Sequence, residues 1–225
     1  MGGNVFKNCE PFDQKYTSQL VDQLNQVLLA LDVTAIPIGS SASPVNGQFS
    51  NDLDVIVEES VLGRQFNDYS PRSIRKKLKQ AFVEAGFETD QSGVSVHVNI
   101  PYNGNYHQAD IMVVDHANQV SKFHVHEIPC GSPYKGVNKQ LAMFYLAKKQ
   151  NLLWSAFQGL FRRDANGKKA GFITRDLDRV AYILLGVNAT ADSLKNLESM
   201  ISVMDPAESQ VMLENLQKDP NWKEF

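Results

Sequence analysis

Residues Asp52-Leu53-Asp54-Val55-Ile56-Val57 alternate in a way only an extended strand can use. Leu53, Val55 and Val57 share one face and need burial, which puts Asp52 and Asp54 together on the other face with their carboxylates a few ångströms apart. Two like charges held so close repel, and burying either is costly. A divalent cation resolves that conflict, because hard oxygen ligands suit Mg²⁺, which also takes substrate phosphates into its shell. The segment just upstream, Ile38-Gly39-Ser40-Ser41, runs into a Gly/Ser/Pro/Asn-rich loop. A turn of this composition offers backbone N–H groups and hydroxyls without bulk, as a phosphate requires.

The rest of the first half builds a scaffold around that strand. Tyr16, Leu20, Leu24, Val27, Leu28 and Leu31 give a helix over 16–31, and Val33–Ile38 reads as a strand whose Pro37 marks an edge. Ser70-Pro71 opens a second helix that Gly86 closes. The runs 94–100 and 108–114 form a hairpin, with Asn103-Gly104 supplying the positive φ angles of a tight turn. A two-metal site needs one more carboxylate from a neighbouring strand. Asp110 opens a strand of the right kind, whereas Asp115 ends it on the opposite face.

These residues resemble the nucleotidyltransferase superfamily related to DNA polymerase β. Its pattern is an apolar residue, Gly, Gly or Ser, a spacer, then acid-apolar-acid-apolar, which Ile38, Gly39, Ser40, Asp52, Leu53, Asp54 and Val55 fit without a gap. The resemblance covers the first 130 residues. It implies an α/β (α+β) fold with a mixed-sheet palm and a metal-dependent, template-independent transfer of a nucleoside monophosphate from an NTP to an acceptor hydroxyl. By the same resemblance, Asp52, Asp54 and Asp110 bind two Mg²⁺ or Mn²⁺ ions, and Gly39, Ser40 and Ser41 hold the triphosphate of ATP or CTP. Relatives also contact the triphosphate through a basic residue on a helix of the following domain, a role that falls to Lys139.

Beyond about residue 130 the pattern changes. Helices are expected over 135–161, 176–185, 190–203 and 206–217, and a strand over 122–128 before them. The expected division is therefore a palm of residues 1–130 and an all-helical domain of residues 131–225. Trp154, Phe157, Leu160 and Phe161 sit at helical spacing and read as core, and Tyr134 or Tyr145 is a candidate to stack on a base, with core packing the favoured role of Tyr145. Two basic segments stand out, Arg72, Arg75 and Lys76 on the second helix, and Arg162, Arg163, Lys168 and Lys169 around Asn166-Gly167. Each reads as a solvated surface or as a contact to a nucleic-acid backbone, and together they favour an RNA 3′ end, as in tRNA-terminal or poly(A)-adding relatives, as acceptor. A small-molecule or protein hydroxyl, or a reaction that makes a nucleotide messenger, is the alternative, and a binding protein that has lost activity is the alternative class.

Composition limits the partners. A net charge of −3 argues against a chain that coats nucleic acid through bulk charge, leaving only local basic sites. Cys9 and Cys130 lack metal-ligand spacing and read as reduced thiols of a cytoplasmic protein, with neither a secretion signal nor a membrane span expected. All five histidines lie between His97 and His126, and these are expected at the surface or in the core, not on zinc.

Overall fold

A computed structural model describes residues 5–125 and 131–224. The chain divides into two compact units, Met1–Ser121 and Lys122–Phe225. Cys130, His126 and the part of the expected 122–128 strand beyond Val125 lie outside the described residues.

The first unit contains β1 (Phe12–Asp13), α1 (Thr17–Leu28), β2 (Ile36–Pro37), β3 (Phe49–Ser50), β4 (Asp52–Glu58), α2 (Glu59–Gln65), α3 (Pro71–Glu84), β5 (Glu88–Ser92), β6 (Ser95–Tyr102) and β7 (Asn105–Val114). Five strands make one mixed sheet in the order β2-β4-β7-β6-β5, and β1 pairs with β3 separately. Only β4 and β7 run parallel. Strand alternation splits the sheet into an apolar face and a mixed one, on which Ile56, Met112 and Val114 are buried alongside the polar residues. Leu53, Val55, Val57, Val96, Val98, Ile100, Ala109, Ile111 and Val113 pack with Leu20, Leu24 and Leu28 of α1 and Ile74, Leu78 and Phe82 of α3. Both helices therefore cover one face, and the polar residues of the same strands project from the other.

Local chemistry explains the element ends. Asp13 accepts the Lys15 N–H and starts a short 3₁₀ turn ahead of α1. Ser70 precedes α3 but makes no side-chain cap; Asp68 braces the start from outside the helix, accepting from the Ser70 N–H at 3.0 Å and the Ser73 hydroxyl at 2.5 Å. Those donors, with Lys77, hold the Asp68 carboxyl down at about 2. Asn103 and Gly104 have φ of 52° and 84°, so β6 and β7 are joined by a two-residue turn.

Helix α4 (Ala117–His124) replaces the expected strand over residues 122–124. The Glu58 carboxylate, at the end of β4, accepts the His116 and Ala117 N–H groups at 3.2 and 2.7 Å. This cap comes from a residue far away in sequence, where no local pattern shows it.

The second unit contains α5 (Gly136–Lys149), β8 (Leu152–Ser155), β9 (Gly159–Arg163), β10 (Lys169–Thr174), α6 (Leu177–Leu185), α7 (Leu197–Ser202) and α8 (Pro206–Leu216). It is not all-helical. The expected helix 135–161 stops at Lys149, Asn151 takes φ 56°, and an antiparallel sheet in the order β10-β9-β8 follows. Trp154 and Leu160 are opposite partners in its β8–β9 hairpin, so the apolar positions 154, 157, 160 and 161 that together imitate a helical stripe belong to two strands and the turn between them. Gly159 has φ 96°, and a Cβ there would lie 2.5 Å from the Thr174 carbonyl oxygen. The expected helix 190–203 breaks into a 3₁₀ turn, Ala191–Leu194, and α7, because the Asn196 side chain caps a new start at Ser199 N–H. Asp176 caps α6, and α8 occupies the last expected helix. Among the described residues, no helix is long and apolar enough to cross a membrane.

Candidate metal centre

The parallel pairing of β4 and β7 sets the site. Its register puts Asp54 beside Asp110 and Asp52 beside Gln108, all on the polar face. Asp52, Asp54 and Asp110 each offer an oxygen, and these oxygens lie within 4.8 Å of one another. Burial, then the Asp52 and Asp110 charges, push the Asp54 carboxyl up to about 7. Asp52 is raised as well, by burial first and the Asp110 charge second. Three anionic oxygens in so small a space are unfavourable by themselves and match the hard-oxygen donor set of Mg²⁺ or Mn²⁺.

The glycine-serine turn reaches this cluster because β2 pairs antiparallel with β4. Pro37 lies opposite Val55, and the Ile38 N–H donates to the Asp54 carbonyl at 3.0 Å. The chain then leaves β2 in a 3₁₀ turn, Gly39–Ala42, alongside the acidic strand. Gly39 sits at φ 58°, and a Cβ there would lie 3.6 Å from Asp54 Oδ2. Ser41 is buried, and its hydroxyl accepts the Asp54 N–H at 3.2 Å, tying the loop to the strand. Ser40 Oγ lies 3.4 Å from Ser50 Oγ, and Ser50 donates to the Asp52 carbonyl at 2.9 Å. Ser41 thus ties the turn to β4, Gly39 lies against the Asp54 carboxylate, and Ser40 meets Ser50 just before Asp52.

Sequence reasoning misses a second layer of side chains. Asp110 Oδ1 lies 2.7 Å from His97 Nδ1 and accepts from Gln108 Nε2 at 2.9 Å. His97 Nε2 in turn lies 2.7 Å from the Ser92 hydroxyl, and Gln108 Oε1 accepts the Val5 N–H at 2.7 Å. The signal for His97 was present, since a two-residue turn pairing Tyr102 with Asn105 carries the register to His97 opposite Asp110.

Other expected site residues fall elsewhere. Arg72, Arg75 and Lys76 ride on α3, which covers the face of the sheet opposite the carboxylates. Arg75 interacts with Glu59 there, and neighbouring Lys77 pairs with Asp68 at 3.1 Å. Lys139 is 1% exposed; its ammonium donates to the Phe123 carbonyl and lies 4.3 Å from the centre of the Phe123 ring. Lys139 is thus an interior residue of the second unit, and burial lowers its amine to about 7. Tyr134 packs edge-on against Trp222 at 5.6 Å at the margin of the second core. Arg162, Arg163, Lys168 and Lys169 cluster on the β9–β10 hairpin, where Arg163 donates to the Leu152 carbonyl and Lys169 to Gln158. His124 is buried and stacked on Phe157, with burial and then the Lys139 charge lowering it to about 4. Cys9 is buried under Asn99, and burial raises its thiol to about 11, far from a reactive state.

Compared with known proteins, the chain matches no family model and no curated protein.

Proposed function

We propose that this chain is a metal-dependent nucleotidyltransferase that moves a nucleoside monophosphate from an NTP to an acceptor hydroxyl and releases pyrophosphate. The reading is carried by one observation, the convergence of Asp52, Asp54 and Asp110 within 4.8 Å beside the Gly39–Ala42 turn. The three carboxylates hold the metal. Bound Mg²⁺ or Mn²⁺ polarises the phosphates and favours ionisation of the acceptor hydroxyl. Gly39 keeps side-chain bulk away from the phosphates, and the Ser40 hydroxyl and the turn amides are the donors toward them. The β4–β7 register fixes the carboxylates before substrate arrives, so little reorganisation opposes the reaction.

For the acceptor we retain an RNA 3′ end, resting on the basic β9–β10 hairpin of the second unit. A small-molecule or protein hydroxyl is the second reading. It is favoured by the position of the α3 arginines and lysine behind the sheet and by the net charge of −3.

The test is incubation of the full chain with labelled NTPs, Mg²⁺ or Mn²⁺ and total RNA, with Asp54→Ala as control. Label on RNA that Asp54→Ala abolishes supports the first reading, and label on protein or a small molecule supports the second. If nothing is labelled and no triphosphate binds, the enzyme assignment fails and a binding role replaces it.

A further inference from the structure

We infer that His97 is a positioning residue for the metal ligand Asp110, holding one carboxylate oxygen so that the other serves the metal. This rests on the metal-dependent reading above and adds to it a residue outside the carboxylate cluster.

His97 and Asp110 are direct partners across the β6–β7 hairpin, and both are buried, at 5% and 8% exposure. Asp110 Oδ1 receives two neighbours, His97 Nδ1 at 2.7 Å and Gln108 Nε2 at 2.9 Å. A carboxylate oxygen engaged by two side chains at once resists rotation about the Cβ–Cγ bond. The ligand role therefore passes to Oδ2. The Ser92 hydroxyl at 2.7 Å from Nε2 occupies the far side of the imidazole and fixes its orientation. In register across the sheet stand Asp90 of β5, His97 of β6, Asp110 of β7 and Asp54 of β4, and Ser92 reaches the imidazole from two residues beyond Asp90. Outer partners of this kind orient metal ligands and govern affinity.

The same three residue types in this order also occur as nucleophile, base and orienting acid in hydrolases. Here the acid has another commitment, because its carboxylate belongs to the cluster with Asp52 and Asp54. That membership favours positioning over nucleophilic catalysis.

The experiment is Mn²⁺ titration of the full-length protein followed by electron paramagnetic resonance, with folding monitored by circular dichroism. His97→Leu removes the donor and is expected to weaken Mn²⁺ binding about 10-fold or more. His97→Asn keeps an N–H at the γ branch and should return affinity to within about threefold of the parent. Ser92→Ala, at an exposed position that the fold tolerates, should weaken binding by about two- to threefold. A purely structural role would lower thermal stability in His97→Leu with Mn²⁺ affinity unchanged, and that result overturns the inference. If His97→Leu does not fold, the Asn and Ala variants decide: affinity equal to the parent in Ser92→Ala together with no rescue by Asn overturns it. Covalent labelling of Ser92 by a fluorophosphonate also overturns it, in favour of a hydrolytic serine. Failure of the underlying reading is distinct, for then the parent binds Mn²⁺ no better than Asp54→Ala.

Discussion

Replacing Asp54 by Asn should stabilise the metal-free first unit, and the size of the gain follows from the site's electrostatics. The Asp54 carboxyl sits at about 7 in the fold against 3.8 ordinarily. Because the folded value is raised, the fold binds this proton more tightly than the unfolded chain does. Below about pH 4 both states are protonated and the site carries no penalty. Between about pH 4 and 7 the unfolded chain has released a proton that the fold retains, so stability falls as pH rises. Above about pH 7 the loss is complete, at most about 4 kcal/mol for a shift of this size. Asn removes that charge and relieves its neighbours, so a gain of roughly 3 kcal/mol is expected near pH 8 and almost none near pH 4. A shallower slope should remain from Asp52, which is raised too. The chain's two tryptophans, Trp154 and Trp222, both lie in the second unit, so their fluorescence would follow the wrong part of the molecule. Amide hydrogen exchange of peptides from β4 and β7, corrected for intrinsic rates and measured in chelator, reads the right one. Adding Mg²⁺ to about a hundredfold over its dissociation constant should return about 2.7 kcal/mol to the parent and little to the variant. Equal protection of parent and variant near pH 8, or the same pH slope in both, would refute the reasoning.

Two further substitutions probe the turn and the second unit. Gly39→Ala places a side chain at φ 58° and should cost about 1–2 kcal/mol, read by the same exchange measurement. Its methyl would rest in ordinary contact with Asp54 Oδ2, so a loss far beyond that figure would contradict the local geometry. Lys139→Met replaces a buried amine whose value is lowered to about 7, so the parent alone is destabilised while that amine is charged. The variant's advantage, followed by tryptophan fluorescence in urea, should be largest below about pH 7 and shrink toward pH 10. Its affinity for nucleoside triphosphate should match the parent's; a tenfold loss in a folded variant would return Lys139 to the substrate.

The legible parts of this fold are those in which local pattern and tertiary demand agree. The alternation of β4, the Asn103-Gly104 turn and the apolar face of α1 each specify one structure, and the structure contains it. Strand β5 was invisible because Glu88-Thr-Asp-Gln-Ser carries no apolar residue; as the edge strand it buries no apolar side chain and pairs only with β6. Helix α4 owes its start to Glu58, a contact no local window contains. In the second unit, Trp154, Phe157, Leu160 and Phe161 fit both a helical stripe and a hairpin, and periodicity cannot separate the two over so short a run. Asn151 and Gly159, with their positive φ angles, decide between them.

The candidate site divides along the same line. Asp52 and Asp54 were readable together because one strand carries both, and Asp110 because its strand has the same form. Which face of the sheet each group occupies needs the strand order and the helix positions as well. Spacing alone treats Arg72, Arg75 and Lys76 as candidates equal to any other basic cluster. Once α3 is packed on the face of the sheet that also carries Leu53, Val55 and Val57, the odd-numbered side of β4, those cations are behind the carboxylates that the even-numbered side presents. The same register argument gains what the charge argument loses. A sheet that places Asp54 beside Asp110 also places His97 beside Asp110, so the partner of the third carboxylate is fixed by the same pairing that assembles the cluster. Charge counting directs attention to the residues a polyanion would touch, and strand register directs it to those that shape the metal's ligands.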